Sequence, residues 1–474
     1  MAEVGYEPYL KITCCRRGDS MQDREPALKL PSTPIGRLMR PLERFLHLEA
    51  ASGILLVLCT LAALALANSA YREAFAHFWH ERFGIVLGSF ELIKPIELWI
   101  NDGLMTLFFF VVGLEIKREI VAGELKEPRK AALPFMAALG GMLAPGGIYY
   151  LLERGTPGEP GWGIPMATDI AFVVGILALL GKRVPLGLKI FLLSLAIVDD
   201  LGAILVIAIF YTSDLAVHYL VMAACGFAGV LAMRLLGFRR IALYVIVGMF
   251  IWYCFLKSGV HPTIAGVVLG LMTPTSAWIE RTRFQSALHA ANESASNREG
   301  PIDRDRAQTL MAVIQESVSP LERLEKSLHA WVAFGIMPIF AFANAGVEVQ
   351  SALLTHRVSL GVMLGLILGK PIGIVLFSWL AVTLGIAKLP TGVNWKILIG
   401  AGCLGGIGFT MSLFIGGLAF AGSGDATLVD AAKIGTLGGS LISAMLGCTL
   451  LLMFLPRSGL PRDTAASTLA EDVA

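Results

Sequence analysis

Leu195-Ala196-Ile197-Val198-Asp199-Asp200-Leu201-Gly202 stands in the middle of an apolar run that extends from about 186 to 211. Charged side chains are almost never fully buried in a soluble core unless paired. A membrane-spanning helix needs about 20 mostly apolar residues, and this run is long enough to supply them. A charge at bilayer depth costs several kcal/mol and marks function by default. Successive helical residues point about 100° apart, so the two carboxylates cannot both face one partner helix squarely. They can both border one water-filled cavity. Adjacent anions disfavour double ionisation, which suits groups that exchange protons. The competing reading is a pair of salt-bridged acids used only for packing.

The rest of the chain agrees with a membrane setting. Of its 474 residues, 55% are apolar and only 16% charged, against about 25% charged in a soluble domain. Mean hydropathy is +0.70, far too apolar for a disordered protein. The net charge of +2 offers no basic surface for nucleic acid. Seven cysteines form no disulfide framework: Cys14 and Cys15 lie in a polar leader, while Cys59, Cys225, Cys254, Cys403 and Cys448 lie in apolar runs, where they read as small buried side chains. No signal peptide is visible, because the first 40 residues are polar and basic.

A 20-residue window predicts an all-α polytopic membrane protein with about twelve spans, at roughly 50–69, 98–116, 131–152, 164–181, 186–211, 216–236, 240–257, 260–279, 328–348, 358–384, 394–421 and 430–456. Twelve spans put both termini on one side. With that side cytoplasmic, the inside segments carry 30 Lys and Arg and the outside segments 7, and only Lys370 is left at depth. The domain reading is a polar basic leader at 1–44, a membrane domain at 45–456 and a cytoplasmic tail at 457–474, with a charged cytoplasmic insertion at 280–327. Region 71–97 falls outside. Its stretch Phe83 to Phe90 reads either as a β-hairpin turning on Gly88-Ser89 or as a plain surface loop.

Four more places carry chemistry. In the fourth span, Thr168-Asp169 follows Gly161, Gly163 and Pro165, which can break a helix. Thr168 offers the oxygen ligands that hard cations prefer (by extension from), and Asp169 is either an ion ligand, a neutraliser of a helix N-terminus, or both. Lys370, in Leu368-Gly369-Lys370-Pro371, needs a counter-ion at depth, and the spare carboxylates are Asp199, Asp200 and Asp169. Fully ionised, these four sum to −2. One Na⁺ leaves −1, whereas two protons leave zero, so a monovalent cation and protons compete for such a site. The run Gly402 to Thr410 holds Gly402, Gly405, Gly406 and Gly408, a density that weakens the eleventh span or makes a packing face. Finally, Asn101-Asp102-Gly103 opens the second span, and Glu115-Ile116-Lys117-Arg118-Glu119 closes it; the latter reads by itself as a solvated helix end held by ion pairs.

These motifs together resemble the NhaA-type sodium/proton antiporters. The resemblance rests on Asn101-Asp102-Gly103-Leu104-Met105, Gly113 to Glu119, Ala167 to Phe172, Val198 to Gly202, Ser258-Gly259-Val260-His261, Phe340 to Gly346 and Gly369-Lys370-Pro371, in consistent order from about 40 to 456. It implies inverted repeats over segments 3–5 and 10–12, with helices 4 and 11 broken and crossing. Paired broken helices mark a midplane transport site by a rule drawn in part from this same family, so the pairing belongs to the resemblance and is not independent of it. Also implied is electrogenic, pH-regulated exchange of Na⁺ or Li⁺ for more than one H⁺ in a bacterial inner membrane, with no cofactor. Asp199, Asp200 and Thr168 would hold the ion, with Asp169 and Lys370 beside them and Lys370 pairing Asp199. Control by pH would map to Glu115, Arg118, Glu119, His261, Glu325 and His329, the access path to Asp102, and a homodimer to the outside hairpin in 71–97. Where the family reads Leu-Glu-His-x-Leu-His, this chain has Leu324-Glu325-Lys326-Ser327-Leu328-His329, so one histidine is a lysine. The insertion and leader are also longer than usual, which bears on the pH threshold and not on transport.

Two other classes fit parts of the chain. Gly422-Ser423-Gly424-Asp425 matches the Gly-x-Gly-Asp of intramembrane aspartyl proteases, but it lies at a span end and lacks the partner Tyr-Asp. A sodium-coupled solute symporter would use similar charges, and would be distinguished by a second pocket lined with aromatic and amide groups, which the sequence does not display.

Overall fold

The computed structural model describes residues 49–456, apart from 88–89, 213–214, 239 and most of 278–315. The leader, the tail, Cys14, Cys15, the Gly88-Ser89 turn and the greater part of the 280–327 insertion therefore lie outside the described residues. Elsewhere the chain is mostly helix, as lipid demands of a backbone that must satisfy its own amides.

In chain order the helices are α1 (Glu49–Ala67), α2 (Arg72–His80), α3 (Met105–Ala122), α4 (Pro128–Glu153), α5 (Ile170–Leu180), α6 (Leu186–Phe210), α7 (Val217–Leu235), α8 (Ile241–Ser258) and α9 (Thr263–Met272). There follow α10 (Pro320–Trp331), α11 (Met337–Asn344), α12 (Arg357–Leu364), α13 (Lys370–Thr383), α14 (Trp395–Gly405), α15 (Phe409–Phe420) and α16 (Ala426–Phe454). Five-residue π turns join α10 to α11 (Val332–Ile336) and α12 to α13 (Gly365–Gly369), and another, Ile100–Leu104, leads into α3. A 3-10 segment, Glu159–Met166, precedes α5.

Helix occupies all twelve predicted positions, but fewer qualify as spans by length and composition. Among the described residues eight do, or ten if each of two sharply bent pairs counts as one. The shortfall has two physical sources. The C-terminal end of α3 carries Glu115, Lys117, Arg118 and Glu119, and α9 has only 10 residues. The ninth predicted span, which α10 opens, also begins earlier than expected. Ser319 caps it, accepting from the Glu322 amide at 3.2 Å, with Pro320 in the first turn, so the charged residues Glu322 to Lys326 are helical.

Region 71–97 forms the hairpin: β1 (Arg82–Leu87) pairs antiparallel with β2 (Phe90–Pro95), Arg82 opposite Pro95 and Ile85 opposite Leu92. Asp425 is the N-cap of α16, accepting from Thr427 at 2.9 Å, so the Gly-Ser-Gly-Asp match is helix-capping chemistry. Cys254 and Cys403 are buried, but Cys225 is exposed on α7, contrary to the buried reading.

Close helix contacts position the site. Gly369 and Gly373 form a small-xxx-small face of α12–α13 against α4. A Cβ on Gly369 would stand 2.6 Å from Pro145 Cα, a backbone atom that cannot swing aside. Gly369→Ala is expected to destabilise the purified protein by about 1–3 kcal/mol through overpacking, read as a lower thermal midpoint in a detergent melt. Gly417→Ala, where a Cβ meets nothing within 4 Å, should leave it unchanged. This contact matters because Lys370 is the next residue.

Candidate ion-exchange site

The fourth and eleventh segments are both interrupted, and they cross at their interruptions. Residues 167–169 are extended between the 3-10 segment and α5. Across from them α14 ends at Gly405 and α15 starts at Phe409, the two halves bent by 46°. The Asp169 amide donates to the Ile407 carbonyl at 2.7 Å, and the Thr168 hydroxyl donates to the Gly405 carbonyl at 2.9 Å. Each break thus supplies the hydrogen bonds that the other lacks, which is how irregular backbone is tolerated at depth.

The half-helices leave charged ends, and two side chains neutralise them. Asp169 caps α5, accepting from the Phe172 amide at 3.2 Å, and also accepts from the Thr410 amide at 3.1 Å and the Thr410 hydroxyl. Its carboxylate therefore serves the N-termini of both α5 and α15, as the helix-end reading of the sequence expects. At the opposite pole, Lys370 Nζ donates to the Met166 carbonyl, the last of the 3-10 segment.

Lys370 Nζ also lies 2.6 Å from Asp199 Oδ2. Lysine and aspartate side chains are 1% and 2% exposed, so this is a buried ion pair with little competition from water. Asp200 is equally buried. Asp199 Oδ1 and Asp200 Oδ1 have no hydrogen-bond partner among the described residues. The charges that act on Asp200 are those of Asp199, Glu115, Asp169 and Lys370, and Thr168 lies against Asp199. The structure thus brings Thr168, Asp169, Asp199, Asp200 and Lys370 into one cluster. Two buried carboxylate oxygens without a protein partner can be satisfied by a cation or a proton, and they are the donor type that a hard monovalent ion takes.

The residues assigned to pH control divide into groups. Arg118 is ion-paired to Glu325 and 3.8 Å from Glu119, and Glu119 accepts from the Glu124 amide at 3.1 Å. Glu115 belongs electrostatically to this group, with Glu325, Arg118 and Glu119 acting on it. His261 is elsewhere, 3.5 Å from Asp102 at the far end of α3. Asp102 and Glu115 are 13 positions apart, about 20 Å along the helix. His329 and Lys326 are exposed on α10, and their side chains make no hydrogen bond or ion pair among the described residues.

Sequence reasoning missed three supporting groups. Thr410 anchors Asp169, and its place just after the glycine run was the available signal. Ser440 accepts from the Phe409 amide at 3.1 Å and so holds the first turn of α15. Ser443 reaches the Leu366 carbonyl at 3.4 Å, one turn before Pro371, which has no amide to donate. Both serines lie on α16, a helix that reads as plain apolar packing.

Crossed broken helices with paired acids and one lysine at their junction define an ion-translocating membrane protein of the secondary-transporter class. The profile of the family described as Na+/H+ antiporter 1 matches residues 43–451. Over 440 residues the chain is 50% identical to the Na(+)/H(+) antiporter NhaA of Rhodopirellula baltica, covering 92% of this chain and 99% of that protein. It is 49% identical to the Na(+)/H(+) antiporter NhaA 1 of Acidiphilium cryptum, covering 90% and 95%, and 48% identical to the Na(+)/H(+) antiporter NhaA 2 of Vibrio vulnificus, covering 90% and 96%. The chain belongs to the Na+/H+ antiporter 1 family. That membership leaves the sodium-coupled symporter reading without support.

Proposed function

We propose that the chain exchanges Na⁺, or Li⁺, for H⁺ across a bacterial inner membrane by alternating access, acting as a transporter and not as an enzyme. The observation that carries this reading is the pair of buried acids, Asp199 and Asp200, with orphaned oxygens beside a single lysine. With Asp169 held by helix ends, Asp199, Asp200 and Thr168 are left to take the ion. Protons and Na⁺ compete for the same oxygens, so loading one expels the other, and a site open to one side at a time converts that competition into exchange. Because one Na⁺ and two protons neutralise the cluster to different extents, the cycle moves net charge. Inner control by pH falls to Glu115, Arg118, Glu119 and Glu325, whose charges reach Asp200 through Glu115.

The 30-to-7 distribution of Lys and Arg supports cytoplasmic termini with the hairpin outside. On that hairpin Phe83, Ile85 and Val86 are more than half exposed, and an apolar strand pair with free edges suits a homodimer contact. In everted vesicles carrying an acid-interior gradient, added Na⁺ should release protons from the lumen and restore the fluorescence of a quenched pH dye. No recovery with Na⁺ or Li⁺ at any pH from 6 to 9 (a range of about three units around neutrality, chosen to bracket a pH switch) would defeat the reading.

A further inference from the structure

At the hairpin end of α3, four elements meet at one residue, Asp102. Lys94 comes from β2, Asp102 from the π turn Ile100–Leu104, Trp252 from α8, and His261 from the residues that open α9. Lys94 Nζ lies 2.6 Å from Asp102 Oδ2, and His261 Nε2 lies 3.5 Å from Oδ1. His261 Nδ1 accepts from the Thr263 amide at 3.4 Å and stands 2.7 Å from the Thr263 hydroxyl. The neutral ring therefore carries its proton on Nε2 and turns it toward the carboxylate. Trp252 Nε1 and the Thr106 hydroxyl both donate to the Asp102 carbonyl, at 2.9 and 2.5 Å.

Each carboxylate oxygen thus has a side-chain nitrogen nearby, and only Lys94 hydrogen-bonds to the carboxylate. An arriving cation finds Asp102 already neutralised by Lys94. The two side chains beside Asp102 differ in mobility. His261 is fixed by Thr263 and by its edge contact with the Phe414 ring, centroids 5.3 Å apart. Lys94 is a compact charge on a flexible stem, its side chain still 26% exposed against 12% for Asp102, so water is within reach of its ammonium.

We propose that Lys94 is a tethered competitor for the transported cation at Asp102. It holds this carboxylate when no ion is passing and yields when one arrives, so it sets cation affinity at the hairpin mouth and leaves exchange itself to Asp199 and Asp200. The inference rests on the Na⁺/H⁺ exchange reading above. It also makes the affinity one-sided, because Lys94 touches only the hairpin end of α3.

The test compares Na⁺-driven proton movement in right-side-out vesicles, which present the hairpin, with that in everted vesicles. Lys94→Met should lower the apparent KM for Na⁺ from the hairpin face about two- to fivefold, the range for a partly exposed ion pair. The maximal rate, and the KM from the opposite face, should equal those of wild type. Lys94→Arg should behave as wild type, and adding Asp102→Asn should erase the gain. An unchanged KM on the hairpin face, an equal change on both faces, or a gain that survives Asp102→Asn would overturn the proposal. If Lys94→Met does not reach the membrane, Lys94→Gln reads the same quantity. Wild type without Na⁺-driven proton movement on either face would instead defeat the exchange reading, so the two failures are distinguishable.

Discussion

Asp200→Asn, delivered to the membrane in normal amount, is expected to show no Na⁺-driven proton movement. Amide and carboxylate have nearly the same shape, and among the described residues Asp200 shares no ion pair whose loss would unfold the helix. What disappears is a buried negative charge facing the site. Removing one partner from a buried charge contact costs about 3–5 kcal/mol, a loss of about 10²- to 10³-fold in affinity for the cation. The group that would release a proton when Na⁺ binds is gone as well. Both effects act on the same step, so neither more Na⁺ nor a different pH should restore full exchange.

The sign of the pH dependence in wild type follows from the same competition. At acid pH the carboxylates hold protons that Na⁺ must displace, so the apparent KM for Na⁺ is high. It should fall as pH rises, by up to about tenfold per unit for each proton displaced, and level off once the acids are ionised. Asp169→Asn should keep that slope, because its carboxylate serves helix ends in preference to the ion, while weakening the crossing on the Thr410 side: the amide oxygen can still cap Phe172, but an NH₂ in place of Oδ2 cannot accept from the Thr410 amide.

Lys370→Met is expected to have the largest effect on stability. The ammonium bonds both Asp199 and the Met166 carbonyl at the end of the 3-10 segment. Its loss leaves Asp199 as a buried anion without a counter-ion and one pole of the broken helix without a cation. The expected cost is again about 3–5 kcal/mol, read as a lower melting midpoint in detergent and a lower folded yield. The informative variant is the pair. Lys370→Met with Asp199→Asn removes the stranded charge and should recover much of the stability, since replacing a whole buried ion pair is often close to neutral. It should not recover exchange. Equal stability of the single and double variants would mean that the pair contributes only by packing.

How much of this is legible in the residues depends on what each group costs the membrane. Asp169, Asp199, Asp200 and Lys370 stand out because a charge at depth is expensive, and the structure gathers all four. The choice of Asp199 as the partner of Lys370 is less legible: charge balance left three carboxylates open, and the family resemblance chose among them. Thr410, Ser440 and Ser443 were missed because a hydroxyl can bond back to its own helix and is common in membrane helices at little cost. Their roles depend on which amides and carbonyls the breaks leave free, a tertiary fact. Lys94 was hidden for a related reason. It reads as one of seven outside cations until the hairpin folds it onto a helix eight residues ahead. Span counting faltered where chemistry and length disagree, at the charged C-terminal end of α3 and in the short α9, whereas the uninterrupted apolar runs were plain.

The most direct test of the shared site is proton release from purified protein on addition of Na⁺, followed in weakly buffered detergent solution with Na⁺ binding measured in parallel. Wild type should release more than one proton for each Na⁺ bound, and the Asp199→Asn, Asp200→Asn double variant should release none. Wild type that binds Na⁺ without releasing protons, or a double variant that releases as many as wild type, would contradict exchange through these two carboxylates.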